Sequence, residues 1–83
     1  MTPLTSYHVC YFGLLAERRG LFEECLQLRA TTAAELYASL NATHRLGLST
    51  EDFRVAVNDE FVAWNHPLQD GDRIALLPPM SGG

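Results

Sequence analysis

Apolar residues occur in short segments separated by glycine, proline and aspartate, and their spacing predicts five strands and one long helix. Residues 7–12 are rich in aromatic and β-branched side chains, which favours a strand buried on both faces. Residues 14–19 are good helix formers that end at Gly20, so they predict a short helix. Residues 24–29 alternate apolar and polar positions, which indicates a strand that returns beside the first.

The start of the long helix is marked by a capping box at residues 32–35 (Thr-Ala-Ala-Glu). In this motif we expect the Thr32 hydroxyl to accept a hydrogen bond from the Glu35 amide, and the Glu35 carboxylate to accept one from the Thr32 amide. The apolar positions that follow at helical spacing are Ala33, Leu36, Tyr37 and Leu40. Gly47 marks a stop beyond the helix.

The second half of the chain predicts three further strands. Residues 53–57 alternate in polarity, residues 58–60 form a turn, and residues 61–64 run back as a hairpin partner. Two aspartates flank a glycine at residues 70–72, a pattern typical of a turn and not of paired catalytic carboxylates. Residues 74–77 form the last strand.

Several of these strands follow each other without a helix between them, which excludes a chain of parallel βαβ units and predicts an α+β fold. A mixed sheet of about five strands, with one main helix on one face and its first and last strands adjacent, resembles the ubiquitin-like β-grasp fold. The chain has 83 residues, enough for a single domain with one core. We therefore expect one domain over residues 1–83, with residues 78–83 as an extended tail.

One helix covers only one face of a sheet, yet the first and last strands are apolar on both faces. The positions predicted to face the helix are Val9, Tyr11, Ile74 and Leu76. The positions predicted to lie on the opposite, open face are Cys10, Phe12, Ala75 and Leu77. An uncovered apolar patch of this kind is typical of a protein interface. The alternative is that a loop at residues 66–68 covers it.

Charge and hydropathy exclude two classes of partner. The net charge of −4 argues against binding to nucleic acid, which requires a clustered basic face. No segment approaches the ~20 consecutive apolar residues that span a bilayer, and no signal peptide pattern is present, so we expect no membrane association and a cytoplasmic location.

The cysteines and histidines give weak signals. Cys10 and Cys25 are expected to be reduced thiols, with a disulfide between neighbouring strands as the alternative. The histidines at positions 8, 44 and 66 are widely spaced and match no metal-binding motif, so we predict no metal site and no bound cofactor.

The tail at residues 78–83 has the sequence Pro-Pro-Met-Ser-Gly-Gly. Two prolines fix φ and supply no amide donors, so they end the sheet and direct the chain outward as an extended arm. Gly82 and Gly83 lack side chains and fit a channel too narrow for other residues. The alternative is a disordered end.

The tail and the segment before it resemble MoaD-like small subunits of molybdopterin synthase. The residues that carry the resemblance are Val57-Asn58, Phe61-Val62, His66-Pro67-Leu68, Asp70-Gly71-Asp72 and Leu77 to Gly83. The family implies that a MoeB-like enzyme uses ATP to adenylate Gly83, which a sulfur donor protein then converts to a thiocarboxylate. Sulfur passes to cyclic pyranopterin monophosphate during molybdenum cofactor biosynthesis.

The resemblance also implies partners and residue roles. Catalytic side chains are expected on a MoaE-like large subunit, in a heterotetramer of two small and two large subunits, so this chain is not an enzyme on its own. Gly83 carries sulfur and Gly82 allows threading. The expected interface consists of Cys10, Phe12, Ala75, Leu77, Pro78, Pro79, Met80 and Ser81. The alternatives are a sulfur carrier for thiamin synthesis or tRNA thiolation, and a ubiquitin-like binding module that is never activated.

Overall fold

All the predicted helices and strands are present in the computed structural model, which describes residues 3–78 of the chain. The two helices are α1 (Leu14–Arg19) and α2 (Ala33–His44). The five strands are β1 (Thr5–Tyr11), β2 (Glu23–Leu28), β3 (Arg54–Val57), β4 (Glu60–Val62) and β5 (Arg73–Leu77). Neither helix of the described segment has the length and apolar character that a membrane crossing requires.

The five strands form one mixed sheet in the order β2-β1-β5-β3-β4. The first and last strands, β1 and β5, are adjacent and parallel, with Val9 opposite Ile74. The other three pairings, β1 with β2, β3 with β4 and β3 with β5, are antiparallel. This topology, with α2 as the main helix, confirms the predicted β-grasp fold.

The core lies between α2 and one face of the sheet, the inner face. Apolar side chains of α2 and of the strands belong to one buried cluster, and the four positions predicted to face the helix are 0 or 1% exposed. Those four residues are Val9, Tyr11, Ile74 and Leu76. Trp64 packs edge-on against Phe53, with ring centroids 5.1 Å apart, and its indole nitrogen donates to the Thr50 carbonyl at 3.1 Å.

The cap of α2 differs in one bond from the predicted capping box. The Thr32 hydroxyl accepts from the Glu35 amide at 3.2 Å, as expected. The Glu35 carboxylate, however, accepts from the amide and hydroxyl of Thr31, at 2.7 and 2.8 Å, and not from the Thr32 amide. Thr31 supplies two donors to one carboxylate oxygen, and these hydrogen bonds lower the pKa of Glu35.

The hairpin between β3 and β4 is tighter than predicted. Asn58 and Asp59 both have positive φ, 51° and 74°, so these two residues alone reverse the chain, and Glu60 already pairs with Val57. The prediction that Glu60 belongs to the turn is therefore wrong. β4 also ends at Val62, two residues earlier than predicted, before the chain reaches Trp64 in the core.

Candidate partner interface on the open sheet face

The open face of the sheet consists of the residues that alternate with the buried ones. Strand register places Cys10 opposite Ala75, Ala75 opposite Ala56, and Ala56 opposite Phe61, so one apolar row crosses the sheet from β1 to β4. Leu77 follows Ala75 by two residues within β5, which places it on the same face. Phe12 is the residue directly after β1 and lies beside the end of β5, where its amide donates to the Leu76 carbonyl. The structure thus brings the four residues predicted for the open face together.

Exposure distinguishes this face from the core. Phe12 is 45% exposed and Phe61 is 54% exposed, whereas Cys10, Ala75 and Leu77 are half-buried. The prediction that residues 7–12 form a strand buried on both faces is wrong, because only its inner side chains are fully buried. Within residues 3–78 no helix covers the other side, since α2 packs on the inner face.

Sequence reasoning missed two residues of this patch, Ala56 and Phe61. Both positions follow from alternation along β3 and β4 once the hairpin register is known, because Val55 and Val57 belong to the core cluster on the inner face. Ala56 is only 6% exposed, so Phe61 is the exposed residue of the two. The register depends on a two-residue turn, and the sequence analysis expected a turn of three.

The loop at residues 66–68 lies beside the start of α2 and not on the open face. The Ala33 amide donates to the His66 carbonyl at 3.1 Å, and the Leu68 amide donates to the Thr31 carbonyl at 2.9 Å. Leu68 also packs against the buried core. The alternative that this loop covers the apolar patch is therefore wrong.

The tail leaves the sheet from its central strand. β5 is paired on both sides, and the Phe12 amide donates to the Leu76 carbonyl at 3.2 Å just before the strand ends. Pro78 follows, with its ring beside Gly13, where a Cβ would lie 3.6 Å from the proline Cγ. Gly13 has φ of 60° and ψ of −136°, a conformation that essentially only glycine adopts.

The rest of the predicted site lies beyond this point. Pro79, Met80, Ser81, Gly82 and Gly83 lie outside the described residues, so the predictions of an extended arm and a sulfur-bearing Gly83 remain predictions. Beside Pro78 the structure has a cavity of about 330 Å³, whose wall is mainly apolar and includes Phe12, Leu14 and Phe53. The base of the tail therefore adjoins both the apolar patch and this cavity.

A partly buried ion pair fixes the segment that contacts the tail base. Glu24 accepts two hydrogen bonds from the Arg19 guanidinium, at 2.7 and 2.6 Å, and a third from the Tyr11 hydroxyl at 2.7 Å. The bonds from Arg19, and to a lesser degree that from Tyr11, lower the pKa of Glu24, while burial raises the pKa of Tyr11. This network ties α1 to β1 and β2 on either side of Gly13.

A second polar group lies at the β2 side of the open face. One ligand atom each from His8, Cys10 and Glu23 lies within 4.8 Å of the others, and His8 Nε2 is 3.4 Å from a Glu23 carboxylate oxygen. Burial, followed by the charge of Glu23, raises the pKa of the Cys10 thiol. Sequence reasoning missed this cluster because it compared only the histidines with one another. The patterns His8-x-Cys10 and Glu23-x-Cys25, on two strands predicted to be neighbours, could have indicated it.

Cys10 and Cys25 are both free cysteines on neighbouring strands. Cys25 is opposite His8 and Cys10 is opposite Glu23, so the two thiols are diagonal neighbours. The other polar positions have structural roles. Asp70 accepts from the Ser6 amide at 2.8 Å and Asp72 accepts from the Gln69 amide at 2.8 Å, as expected of turn residues.

Comparison with known proteins gives a family and several relatives. The model of the ThiS family matches residues 9–83. The molybdopterin synthase sulfur carrier subunit of Homo sapiens is 34% identical over 89 residues, covering 100% of both chains. The protein of the same name from Escherichia coli (strain K12) is 46% identical over 41 residues, which is 47% of this chain and 51% of that relative.

Solved structures with the same fold extend this result. SAMP1 from Haloferax volcanii has a TM-score of 0.76 and 26% identity, with 94% of this chain and 99% of that chain covered. A complex of subunits 1 and 2 of molybdopterin-converting factor from Helicobacter pylori contains a chain with a TM-score of 0.64 and 34% identity, covering 95% of this chain and 100% of that one. Ubiquitin from Caldiarchaeum subterraneum, at 16% identity and a TM-score of 0.61, shares the fold, with 96% and 99% coverage.

Proposed function

This chain belongs to the ThiS family, and from that premise we propose that it is the sulfur-carrier small subunit of a molybdopterin synthase. The observation that carries the proposal is the 34% identity to the human sulfur carrier subunit over the full length of both chains. The family match, which extends through Gly83, supports the assignment of the reactive group to the C-terminal glycine.

The proposed chemistry takes place on the Gly83 carboxylate. A carboxylate is a poor acyl donor, so a MoeB-like enzyme first uses ATP to form an acyl adenylate on Gly83 and releases pyrophosphate. A sulfur nucleophile supplied by a sulfur donor protein then attacks the acyl carbon; the new carbon–sulfur bond replaces the bond to AMP, which leaves, and Gly83 ends as a thiocarboxylate. The thiocarboxylate donates sulfur to cyclic pyranopterin monophosphate. The sulfur transfer itself uses no cofactor bound to this chain, and the catalytic side chains belong to the large subunit.

The proposed partner is a MoaE-like large subunit that binds the open face. The Helicobacter pylori relative was solved as a complex of subunits 1 and 2 of its molybdopterin-converting factor, which supports a partner of this kind. On this chain, the apolar row through Cys10 and Ala75, with Phe12 and Leu77 beside it, is the candidate contact surface. Residues 78–81 are proposed to extend the contact, and two such pairs to form a heterotetramer.

The geometry of β5 suits such a carrier. The strand that leads to the tail is held between β1 and β3, so the point where the tail begins is fixed relative to the open face. A partner that binds the open face therefore meets the tail at a defined position, which limits the entropy lost when Gly83 is placed in a distant pocket.

The test is reconstitution of the sulfur transfer. The full chain is incubated with ATP, a MoeB-like enzyme and a sulfur donor, and its intact mass is measured. We expect an increase equal to one oxygen-to-sulfur exchange, located on Gly83, and formation of molybdopterin when a MoaE-like subunit and the pterin precursor are added. A chain that gains no sulfur is an unactivated binding module, and one that gains sulfur without forming molybdopterin serves another pathway.

Variants of the tail make the test specific. Deletion of Gly83, or Gly82→Leu, should abolish molybdopterin formation while the temperature of thermal unfolding stays nearly unchanged. Ala42→Leu is the matched control, because it introduces the same side chain at an exposed position on α2. A large drop in unfolding temperature on deletion of Gly83 would contradict the view of the tail as an arm that does not contribute to the core.

A further inference from the structure

The β2 side of the open face carries four side chains that can bind a metal. His8 and Cys10 alternate on β1, Glu23 and Cys25 alternate on β2, and the register pairs His8 with Cys25 and Cys10 with Glu23. All four side chains therefore project from the open face at the corners of one small rectangle. The ligand atoms of His8, Cys10 and Glu23 are already within 4.8 Å of one another.

We propose that His8, Cys10, Glu23 and Cys25 form a site for Zn²⁺. Imidazole nitrogen, thiolate sulfur and carboxylate oxygen are the ligands that zinc takes in proteins, and four of them complete its tetrahedral coordination. Zinc–ligand bonds of about 2.0–2.3 Å require the ligand atoms of His8, Cys10 and Glu23 to approach each other more closely than the 4.8 Å within which they lie, and Cys25, which is not in that group, to turn toward them. Glu23 and Cys25 are both exposed, so their side chains have room to rotate toward the site.

The four groups are not needed elsewhere in the fold. The neighbouring carboxylate, Glu24, points to the inner side and binds Arg19, whereas Glu23 contacts His8 in an exposed pair that contributes little to stability. Arg73, which lies opposite His8 on β5, pairs with Asp59 at 3.6 Å. Arg73 therefore has an acidic partner of its own outside the group of four ligands.

Coordination has a defined proton balance. Zinc binds thiolates, so each cysteine thiol releases one proton to solvent, while His8 binds as the neutral imidazole and Glu23 as the carboxylate. No electrons are transferred. Because Cys10 is also part of the row proposed to contact the large subunit, a bound ion would lie at the edge of that surface. The proposal itself does not depend on the proposed sulfur transfer.

The test is titration of the full chain with Zn²⁺ under reducing conditions, followed by calorimetry, and with Co²⁺, followed by absorption spectroscopy. We expect one ion per chain and a thiolate-to-cobalt charge-transfer band. Cys10→Ser and His8→Gln should each weaken Zn²⁺ binding by at least ~10-fold, since loss even of a group that orients a ligand costs 10–100-fold. Cys25→Ser should reduce the charge-transfer intensity.

Matched controls separate this site from adventitious binding. His66→Gln and Glu51→Gln remove the same chemical groups at distant positions and should leave the Zn²⁺ affinity within about twofold of the unmodified chain. Circular dichroism of the metal-free variants checks that each one folds; Cys25 is exposed, so Cys25→Ser provides a folded variant in any case. Three results would each overturn the proposal: absence of Zn²⁺ binding, a cobalt spectrum without a thiolate band, or a Zn²⁺ affinity in Cys10→Ser and His8→Gln that equals that of the unmodified chain.

Discussion

The two faces of the sheet are built from alternate residues of the same strands, but their surroundings are opposite. On β5, Ile74 and Leu76 are 0% exposed beneath α2, whereas Ala75 and Leu77 remain half-buried on the open face. On β1, Tyr11 lies in the core and Phe12, the next residue, is 45% exposed. A single step along the chain therefore separates a residue that stabilises the fold from one that is available for binding.

Polar groups on the two faces also differ. Each tyrosine in the core is anchored by its hydroxyl: Tyr7 donates to the Ala30 carbonyl, Tyr37 to the Leu48 carbonyl and Tyr11 to Glu24. These bonds let large aromatic side chains fill the core without leaving a buried hydroxyl unpaired. The open face instead holds His8, Cys10 and Glu23, whose ligand atoms converge. The inner face therefore stabilises the fold, whereas the open face carries the residues of the proposed interface.

The largest effect should come from truncating two adjacent leucines on opposite faces. Leu76→Ala removes a side chain with no exposed area and should lower the free energy of unfolding by about 2–5 kcal/mol. Leu77→Ala should lower it by about 1 kcal/mol or less, because Leu77 is only half-buried. Urea denaturation followed by circular dichroism measures both. Equal losses would show that a second layer covers the open face.

The next effect concerns binding. Phe12→Asp places a charge on the apolar patch and should weaken binding to a MoaE-like subunit by about 2–4 kcal/mol, the range of an interface hot spot. The free energy of unfolding should change by less than about 1 kcal/mol. Phe22→Asp is the matched control, because Phe22 is 79% exposed, precedes the first residue of β2 and does not belong to the apolar row. Calorimetry measures the affinity of each variant for the MoaE-like subunit. Equal affinities for the two variants would show that Phe12 is not part of the interface.

A third effect concerns the carboxylate that anchors α1 to the inner side. Glu24→Gln weakens its hydrogen bonds to Arg19 and Tyr11 and should cost about 1–3 kcal/mol at neutral pH. Folding lowers the pKa of Glu24 from its ordinary value of 4.5, chiefly through Arg19. The stabilisation from Glu24 is therefore present above pH 4.5 and is lost as the pH falls through the lowered pKa.

Glu24→Gln should accordingly flatten the decline of stability below pH 4.5, measured as urea midpoints across the acid range. Part of the decline of stability with falling pH should remain in Glu24→Gln, because hydrogen bonds from Thr31 also lower the pKa of Glu35. The control is Glu51→Gln, which alters an exposed carboxylate and should preserve the slope of the unmodified chain. An unchanged slope in Glu24→Gln would mean that the ion pair does not hold in solution.

The smallest effect concerns the helix that covers the inner face. Thr32→Ala removes the hydroxyl that accepts from the Glu35 amide and should lower stability by about 1 kcal/mol. Thr43→Ala, at an exposed position within the same helix, should have almost no effect. Thermal unfolding of the two variants compares them directly. A loss as large for Thr43→Ala would show that the loss in Thr32→Ala does not come from the capping hydroxyl, because alanine is the better helix former of the two residues.

Much of the fold could be predicted because local patterns and tertiary packing agree. The strand at residues 74–77, the helix start at Thr32 and the β-grasp order all follow from periodicity and capping, and the matches to molybdopterin synthase sulfur carrier subunits confirm the family resemblance. The prediction of which residues of β1 and β5 face the helix is also confirmed, because one helix can bury only one side of a sheet.

The details that sequence reasoning missed depend on contacts between distant segments. The Glu35 carboxylate binds Thr31 and not Thr32, a choice between two adjacent donors that the capping pattern does not distinguish. Phe61 joins the open face only through the register of a hairpin whose turn residues adopt positive φ. Glu23 approaches His8 and Cys10 because two strands pair, and no spacing within one segment encodes that approach.

The central position of β5 has a mechanical consequence. The strand is paired with β1 through four residue pairs and with β3 through four more, and it runs parallel to β1. A pull on the chain beyond Pro78 would act along β5 and load these hydrogen bonds in shear, all together, and not one after another as in the peeling of an edge strand. A partner enzyme that grips the tail and draws it inward could therefore exert force on it while the sheet stays intact.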